Sequence, residues 1–317
     1  MTLYDVYEKI LGKLLELFPE KKASRIYHYT SKEVLWEFLK PDNDFYCTYF
    51  RDLSDPTEFQ TGMNALTRMW RKHCGGDEEE FLRPIERAYA MSGKESRNLT
   101  PWVMSFSAAR DKTSQWKSYT DSMVGGFSIG FNMVRIKQII QNNTNQSYAD
   151  WSLITLLPCL YSGHDDQSKI NVVLEFVLEE VACDLKNFMD KRQADKHNLE
   201  IARALLYLLM ASIIKHSDFS SEEEWRLVMQ PIELSELADR GLTGDKSAFA
   251  MIGSKMRLRS GLLGESNMIS SLVEEIVVSP HGYSDVLYDR AQLFLTLRGL
   301  DATIVVASES PYRGAAR

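Results

Sequence analysis

No apolar run in the 317 residues approaches the roughly 20 that a membrane-spanning helix requires. The longest candidate, Ile201 to Ile214, is interrupted by Arg203, which excludes a transmembrane helix on the sequence. A secretory leader is lacking too. The opening MTLYDVYEKILGKLLELFPEKK has no basic start, apolar block or small-residue cleavage site, and a cytoplasmic location is expected. Cysteine is scarce: Cys47, Cys74, Cys159 and Cys183 stand far apart with no CxxC pair and no Cys/His spacing, so neither a zinc site nor a disulfide framework is indicated. Positive charge is in deficit. With 37 Lys and Arg against 44 Asp and Glu the net charge is -7, so no global field draws the chain to nucleic acid or anionic lipid. The basic clusters Arg68, Arg71, Lys72, His73 and Lys255, Arg257, Arg259 read as solvated faces. GxxxxGK before Ser or Thr, GxGxxG and HExxH are absent, which removes the usual support for P-loop, Rossmann and zincin chemistry.

What is present is a globular composition, 44% hydrophobic and 26% charged, in one large domain or two small ones. Val6, Tyr7, Ile10, Leu14, Leu17 and Phe18 recur at helical spacing up to Pro19, which predicts a helix over residues 1–20 ahead of a domain over 21–317. Arg25 to Tyr29 reads as a strand, and Thr30 with Glu33 as a capping box opening a helix through Leu39. An aromatic strand is expected at Phe45 to Phe50, a polar turn at Asp52 to Pro56, and a helix from about Glu58 to Lys72. Further strands are expected at Trp102 to Ser107, Gly125 to Phe131, Leu153 to Tyr161, Val172 to Val177, Trp225 to Met229, Ile276 to Ser279 and Ala302 to Ala307. Ser114 to Tyr119 reads as a helical turn and Asp285 to Leu297 as a helix. Cys183 to His216 reads as an inserted helical hairpin with Leu199, Ala202, Leu205, Leu206 and Leu209 on one face. Without regular βαβ alternation, an α+β fold with a largely antiparallel sheet is expected.

Three separated segments put chemically useful side chains at strand ends among aromatics: Tyr27-His28-Tyr29-Thr30-Ser31, Ser105-Phe106-Ser107 with Trp116 and Tyr119 downstream, and Glu222-Glu223-Glu224-Trp225-Arg226. Strand alternation turns Glu222, Glu224 and Arg226 to one side, so two carboxylates and a guanidinium converge on one cleft. Taken singly, His28 reads as a hydrogen-bonded strand histidine, the Glu run as a solvated turn, and Trp116 and Tyr119 as core aromatics. Asp55 and Glu58 read as turn and capping residues, and His164-Asp165-Asp166 as a solvated loop.

The strand-borne YHYTS, the SFS strand, the WxxY turn, the strand containing Gly125-Gly126 and the ExEWR strand, in that order, resemble the ADP-ribosyltransferase superfamily. Within it the chain is similar to the largely bacterial domain-of-unknown-function family numbered 2971. Asp55-Pro56-x-Glu58, the strand-helix-strand from Ile276 to Ala307 and the ending Ser310-Pro311-Tyr312-Arg313 add to the resemblance, which spans Arg25 to Arg313. The chain departs from the family in having Ser54-Asp55-Pro56 for Asn-Asp-Pro and Ser279-Pro280 for Gly-Pro. The resemblance implies an ADP-ribosyltransferase-like split antiparallel β-sheet core with flanking helices and a helical insertion at about 183–216.

It also implies an activity. NAD is the expected substrate, cleaved at the nicotinamide-ribose bond, with ADP-ribose passed to a macromolecular acceptor, protein or nucleic acid. Such an activity suits a bacterial toxin or a phage-defence effector, and no metal is required. Oxocarbenium charge develops on the ribose, so a nearby carboxylate stabilises the transition state more than the ground state. The resemblance assigns that carboxylate to Glu224, with Glu222 contacting the acceptor; alternation alone permits either. It assigns His28 to the ribose, the backbone at Tyr29 and Thr30 to the nicotinamide amide, and Ser105 and Ser107 to the Ser-x-Ser strand, one hydroxyl of which braces the glutamate. Trp116 and Tyr119 would wall the nicotinamide pocket, and Arg226 would pair with a carboxylate or the pyrophosphate. The alternatives are an NAD glycohydrolase and a non-catalytic nucleotide- or protein-binding module.

Overall fold

A computed structural model describes residues 24–40, 45–53, 57–74, 101–143, 152–162, 196–231, 249–252, 255–259, 269–280, 283–300 and 303–312, together with residues 16, 55, 171, 172 and 175. The expected helix over 1–20, the 183–195 part of the hairpin and His164-Asp165-Asp166 lie outside the described residues, apart from residue 16.

The strand Trp102–Ser107 (β3) organises the sheet because its two edges are used differently. Along one edge it pairs over its whole length with Glu224–Pro231 (β8), from Trp102↔Met229 to Ser107↔Glu224. Its other edge is shared. Arg25–Thr30 (β1) meets it only at Tyr27↔Ser107, whereas Tyr46–Tyr49 (β2) meets it at Thr48↔Val103 and Tyr49↔Trp102. The sheet therefore forks at Met104–Phe106. Beyond β1 run Phe127–Asn132 (β4), Val273–Val278 (β11) and the parallel edge strand Ile304–Ala307 (β12). Beyond β2 run Lys255–Arg259 (β10) and Phe249–Ile252 (β9), and Ser152–Pro158 (β5) lies outside β8. The described residues thus form a mixed fold around a mostly antiparallel sheet, as the element pattern implied.

Alternation divides the sheet into two faces with different coverings. Ile26, Met104, Phe106, Ile129, Phe131, Trp225 and Leu227 point into the large apolar core. Over that face lie Lys32–Phe38 (α1), Met133–Asn143 (α4) and Ser284–Leu297 (α6), which contribute Leu35, Phe38, Met133, Ile136, Leu287, Ala291 and Leu295. On the opposite face Thr113–Tyr119 (α3) sets Trp116 against Tyr27, Tyr29 and Val277. Beside it Glu58–Cys74 (α2) and Lys196–Ile213 (α5) cover β8, where Gln230 Nε2 donates to Leu205 O at 2.7 Å.

Several expectations are corrected. Asn171, Val172 and Glu175 are helical, not part of a strand. The 183–216 span does not remain helical to its end: Ile214–His216 (β7) is extended and pairs in parallel with Leu160–Ser162 (β6). Nor is α5 one-faced, since every residue from Ala204 to Ile213 is buried, because α2 and β8 enclose it. α1 begins one residue after the expected Thr30 cap, with Leu35 N donating to Ser31 O at 3.3 Å. α4 and the β9–β10 hairpin are additions to the expected elements, although Met133, Ile136, Ile139 and Ile140 have helical spacing and face the core.

Gly62 is where α2 and α5 touch. A Cβ there would collide with the backbone oxygen and Cα of Ala211, which cannot withdraw as a flexible side chain does. Gly62→Ala should therefore cost about 1–3 kcal/mol of stability. Thermal unfolding of the variant checks this, and a Tm equal to wild type would contradict the close approach.

Candidate active site

The start of β8 gathers five charged side chains from four elements. The Ser107↔Glu224 and Ser105↔Arg226 pairings fix the positions of Glu224 and Arg226 on the face covered by α2, α3 and α5. Arg226 Nε donates to Glu224 Oε1 at 2.8 Å and Nη2 to Glu224 Oε2 at 3.2 Å. Its remaining donors reach Ser212 O, at the end of α5, and Glu58 Oε1, in the first turn of α2. Lys215, on β7, donates to Glu222 Oε2 and Glu224 Oε2, each at 2.6 Å, with Glu58 Oε1 at 3.5 Å. Three carboxylates and two cations share one buried cluster.

Burial alone would raise Glu224, but Arg226 and then Lys215 outweigh it and bring the carboxyl down to about 2. Lys215 is likewise penalised by burial, yet Glu224, Glu58 and Glu222 raise it well above the ordinary lysine value, so it stays protonated. Glu222 goes the other way. Desolvation raises its carboxyl, helped by Glu224 and Glu58 and opposed by Lys215. The cluster thus holds one firmly ionised carboxylate, Glu224, and one more readily protonated, Glu222.

Glu222 is also the member nearer the surface, its side chain 13% exposed against 5% for Glu224. It ends the 3₁₀ turn Ser217–Glu222 and is followed by Glu223 in the left-handed conformation (φ 47°, ψ 46°), unfavourable for a residue with a Cβ. That turn is tied down. Ser107 Oγ donates to Glu222 O at 2.6 Å, Ala108 N to Glu223 O at 2.9 Å, and Lys112 Nζ to Glu223 Oε1 at 3.1 Å. Tyr119 is exposed at the end of α3, its hydroxyl 3.5 Å from Glu222 Oε1.

The expected site residues fall into two groups. Glu222, Glu224, Arg226, Ser107 and Tyr119 come together, and Ser105 shares their sheet face through its pairing with Arg226. Ser107 braces the backbone of Glu222 and not a carboxylate. Arg226 takes the first of its two expected roles: it is 1% exposed and committed to carboxylates, so it has no surface for a pyrophosphate.

His28, Tyr29, Thr30 and Trp116 do not line this site. His28 alternates with Tyr27, so it lies on the apolar-core face with Phe38 and Phe106, ring centroids 5.5 and 6.0 Å away. Its Nδ1 donates to Ser105 O at 2.9 Å, so the imidazole closes the fork between β1 and β3. Thr30 is buried on the same face as His28. Tyr29 Oη donates to Ala109 O and accepts from Lys112 N, both at 2.9 Å, and burial raises its phenol well above the ordinary value. Trp116 is fully buried, packs edge-on to Tyr29 and donates to Asp111 Oδ1 at 2.6 Å, so it is a core aromatic and not a pocket wall.

Two participants carry more than the sequence reading assigns them. Asp55 is the turn residue expected, accepting from Thr57 N and Oγ1, but the Glu58 carboxylate is buried on Arg226 and is more than a cap. Lys215 has no role in the sequence reading; its signal is a lone charge directly after the stretch Ala204 to Ile214 of α5 and β7, every residue of which is buried. Gly126-Phe127-Ser128-Ile129-Gly130 has GxSxG spacing, but it runs into β4 without a strand-to-helix turn, and the buried Ser128 hydroxyl donates to Arg110 O at 3.1 Å. Among the described residues no three His, Cys, Asp or Glu side chains are arranged to hold a metal ion, and no helix is long and apolar enough to cross a membrane. Cys47 and Cys159 are free and buried.

Residues 115–227 match the model of a family described as a protein of unknown function, DUF2971. The match runs from α3 into β8 and includes Tyr119, Lys215, Glu222, Glu224 and Arg226, but neither β1 nor Glu58. No curated protein and no solved structure matches the chain.

Arg226→Leu should cost about 3–5 kcal/mol, because it leaves Glu224 and Glu58 buried without their shared guanidinium. Denaturant unfolding measures it; a loss below about 1 kcal/mol would contradict the pairing. The pH dependence has a definite sign. Glu224 is depressed in the folded chain, so its contribution is complete above its ordinary value of 4.5 and is lost as the pH falls toward 2. In Glu224→Gln the acid-induced loss of stability over that window should shrink, while an unchanged acid limb would contradict the assignment.

Proposed function

We propose that the chain cleaves the nicotinamide-ribose bond of NAD and transfers ADP-ribose to a macromolecular acceptor, with Glu222 as the reacting carboxylate. The observation that carries this reading is the pairing of Glu222 at the rim, its carboxyl raised, with an ionised Glu224 behind it on the same ammonium. The order of motifs around that pair and the forked sheet support it.

The chemistry divides between the two glutamates. Nicotinamide leaves with the electrons of the broken C–N bond, and positive charge builds on the ribose. Glu224, Glu222 and Glu58 carry one negative charge more than Lys215 and Arg226 neutralise, which favours that developing cation. The acceptor nucleophile bonds to the anomeric carbon and its proton passes to Glu222, whose carboxyl, raised by desolvation, is a better proton acceptor than the depressed Glu224. Tyr119, exposed beside it, offers a flat face to the departing nicotinamide or to the acceptor. This gives no catalytic part to His28, and places Glu224 as the electrostatic support of Glu222. Water as acceptor would make the chain an NAD glycohydrolase. An acceptor within the cell agrees with a toxin or phage-defence role.

A second reading, a non-catalytic binding module, is favoured by the completeness of the ion pairing: Glu224 is 5% and Arg226 1% exposed, so neither is free to act on a reacting ribose. Nicotinamide release from NAD by the purified chain, with and without cell lysate, separates the readings. Under the proposal wild type releases nicotinamide, Glu222→Gln loses roughly 10²- to 10³-fold in turnover, and His28→Ala retains activity in proportion to its folded fraction. No release by folded wild type would leave the binding module, and a His28→Ala loss as large as that of Glu222→Gln would return the histidine to the active site.

A further inference from the structure

Lys215 is placed by a short pairing of two strands. The two three-residue strands β6 and β7 pair in parallel with Tyr161 opposite Lys215, and the Tyr161 hydroxyl in turn accepts from Glu224 N at 2.7 Å. The same short pairing therefore locates the ammonium and anchors the first residue of β8. Lys215 is 7% exposed, and the ring of Phe219 lies 4.8 Å from its Nζ.

We propose that Lys215 is the positioning residue of this site: by bonding Glu222 and Glu224 at once, its ammonium fixes the Glu222 carboxylate at the rim in its ionised, proton-accepting form. The significance of this for catalysis rests on Glu222 being the reacting carboxylate; the geometry does not. The groups facing Glu222 come from every neighbouring element: Lys215 from β7, Glu224 and Arg226 from β8, Glu58 from α2 and Tyr119 from α3. Arg226 is committed to Glu224, Glu58 and Ser212 O, and Lys112 bonds Glu223. Among the described residues, Lys215 is the cation that bonds Glu222. Without it Glu222 would face two anions in a partly desolvated position, and the raised tendency to protonate would no longer be opposed.

The test is a titration of the Glu222 carboxyl by carbon NMR on the full chain labelled at glutamate Cδ, assigned by the signal lost in Glu222→Gln. Lys215→Met is expected to raise the midpoint by about one unit or more, and Lys215→Arg to leave it near the wild-type value. The acid limb of nicotinamide release should move with the midpoint. An unchanged midpoint in folded Lys215→Met overturns the proposal. Should that variant fail to fold, Lys215→Met/Glu224→Gln removes one charge of each sign and is compared with Glu224→Gln alone: a higher midpoint in the double variant sustains the proposal and an equal one overturns it. A shifted midpoint in a chain that releases no nicotinamide would sustain the role of Lys215 and sink the transferase reading, so the two fail separately.

Discussion

Pairing the buried Glu58 and Glu224 and the rim carboxylate Glu222 with only two cations, Lys215 and Arg226, is the constraint on which the remaining geometry depends. An unpaired charge at the depth of Glu224 or Arg226 would cost several kcal/mol, so neither ion persists unless the fold supplies its partner. The requirement reaches outward. Glu58 must arrive from the first turn of α2, so α2 and α5 are pressed together at Gly62, and Ser212 O must be offered by the last turn of α5. Lys215 must arrive two residues after that helix ends, which its immediate change to the extended β7 permits.

The loop after β3 gives this cluster a second set of supports. Three consecutive charged residues each secure a different part of the chain. Arg110 forks onto Glu275 of β11 at 2.8–3.0 Å, and Asp111 receives Trp116 Nε1, Ser308 Oγ and Glu309 N, each at 2.6 Å. Lys112 bonds Glu223 in the strained turn that presents Glu222. Tyr29 closes the loop from beneath through Ala109 O and Lys112 N. The aromatic and hydroxyl residues that resembled ligand contacts are thus used largely to hold the rim of the site in place, one layer away from where chemistry is proposed.

Much of this is legible in the residues. The strand Trp102–Ser107 matches its expected bounds, and alternation correctly brings Glu224 and Arg226 to one face, whereas Glu222, expected there as part of an extended strand, reaches the same cluster from a 3₁₀ turn through the left-handed Glu223. What alternation also implies, and motif order conceals, is that His28 faces away: its neighbours Tyr27 and Tyr29 carry the site's face of β1, and Tyr27, not His28, is level with Ser107 and Glu224. Motif order records which strands are adjacent but not which side of each strand is used. Lys215 and Glu58 escape a sequence reading because their partners lie elsewhere in the fold, Glu58 being 168 residues from Arg226, and a pairing of that range has no local signature. The end of the 183–216 span is deceptive because apolar residues that continue a helix and those that begin a buried strand look alike until the lone lysine intervenes.

The central claim is that the reacting face of the sheet is the one bearing Glu222 and Tyr119, not the one bearing His28. A crystal structure of the chain with NAD or a non-hydrolysable NAD analogue tests it most directly. The account predicts the nicotinamide-ribose unit beside Glu222 and Tyr119, with Lys215 still bridging Glu222 and Glu224. A ribose bound against His28 and Phe38, on the other side of the fork, would contradict it.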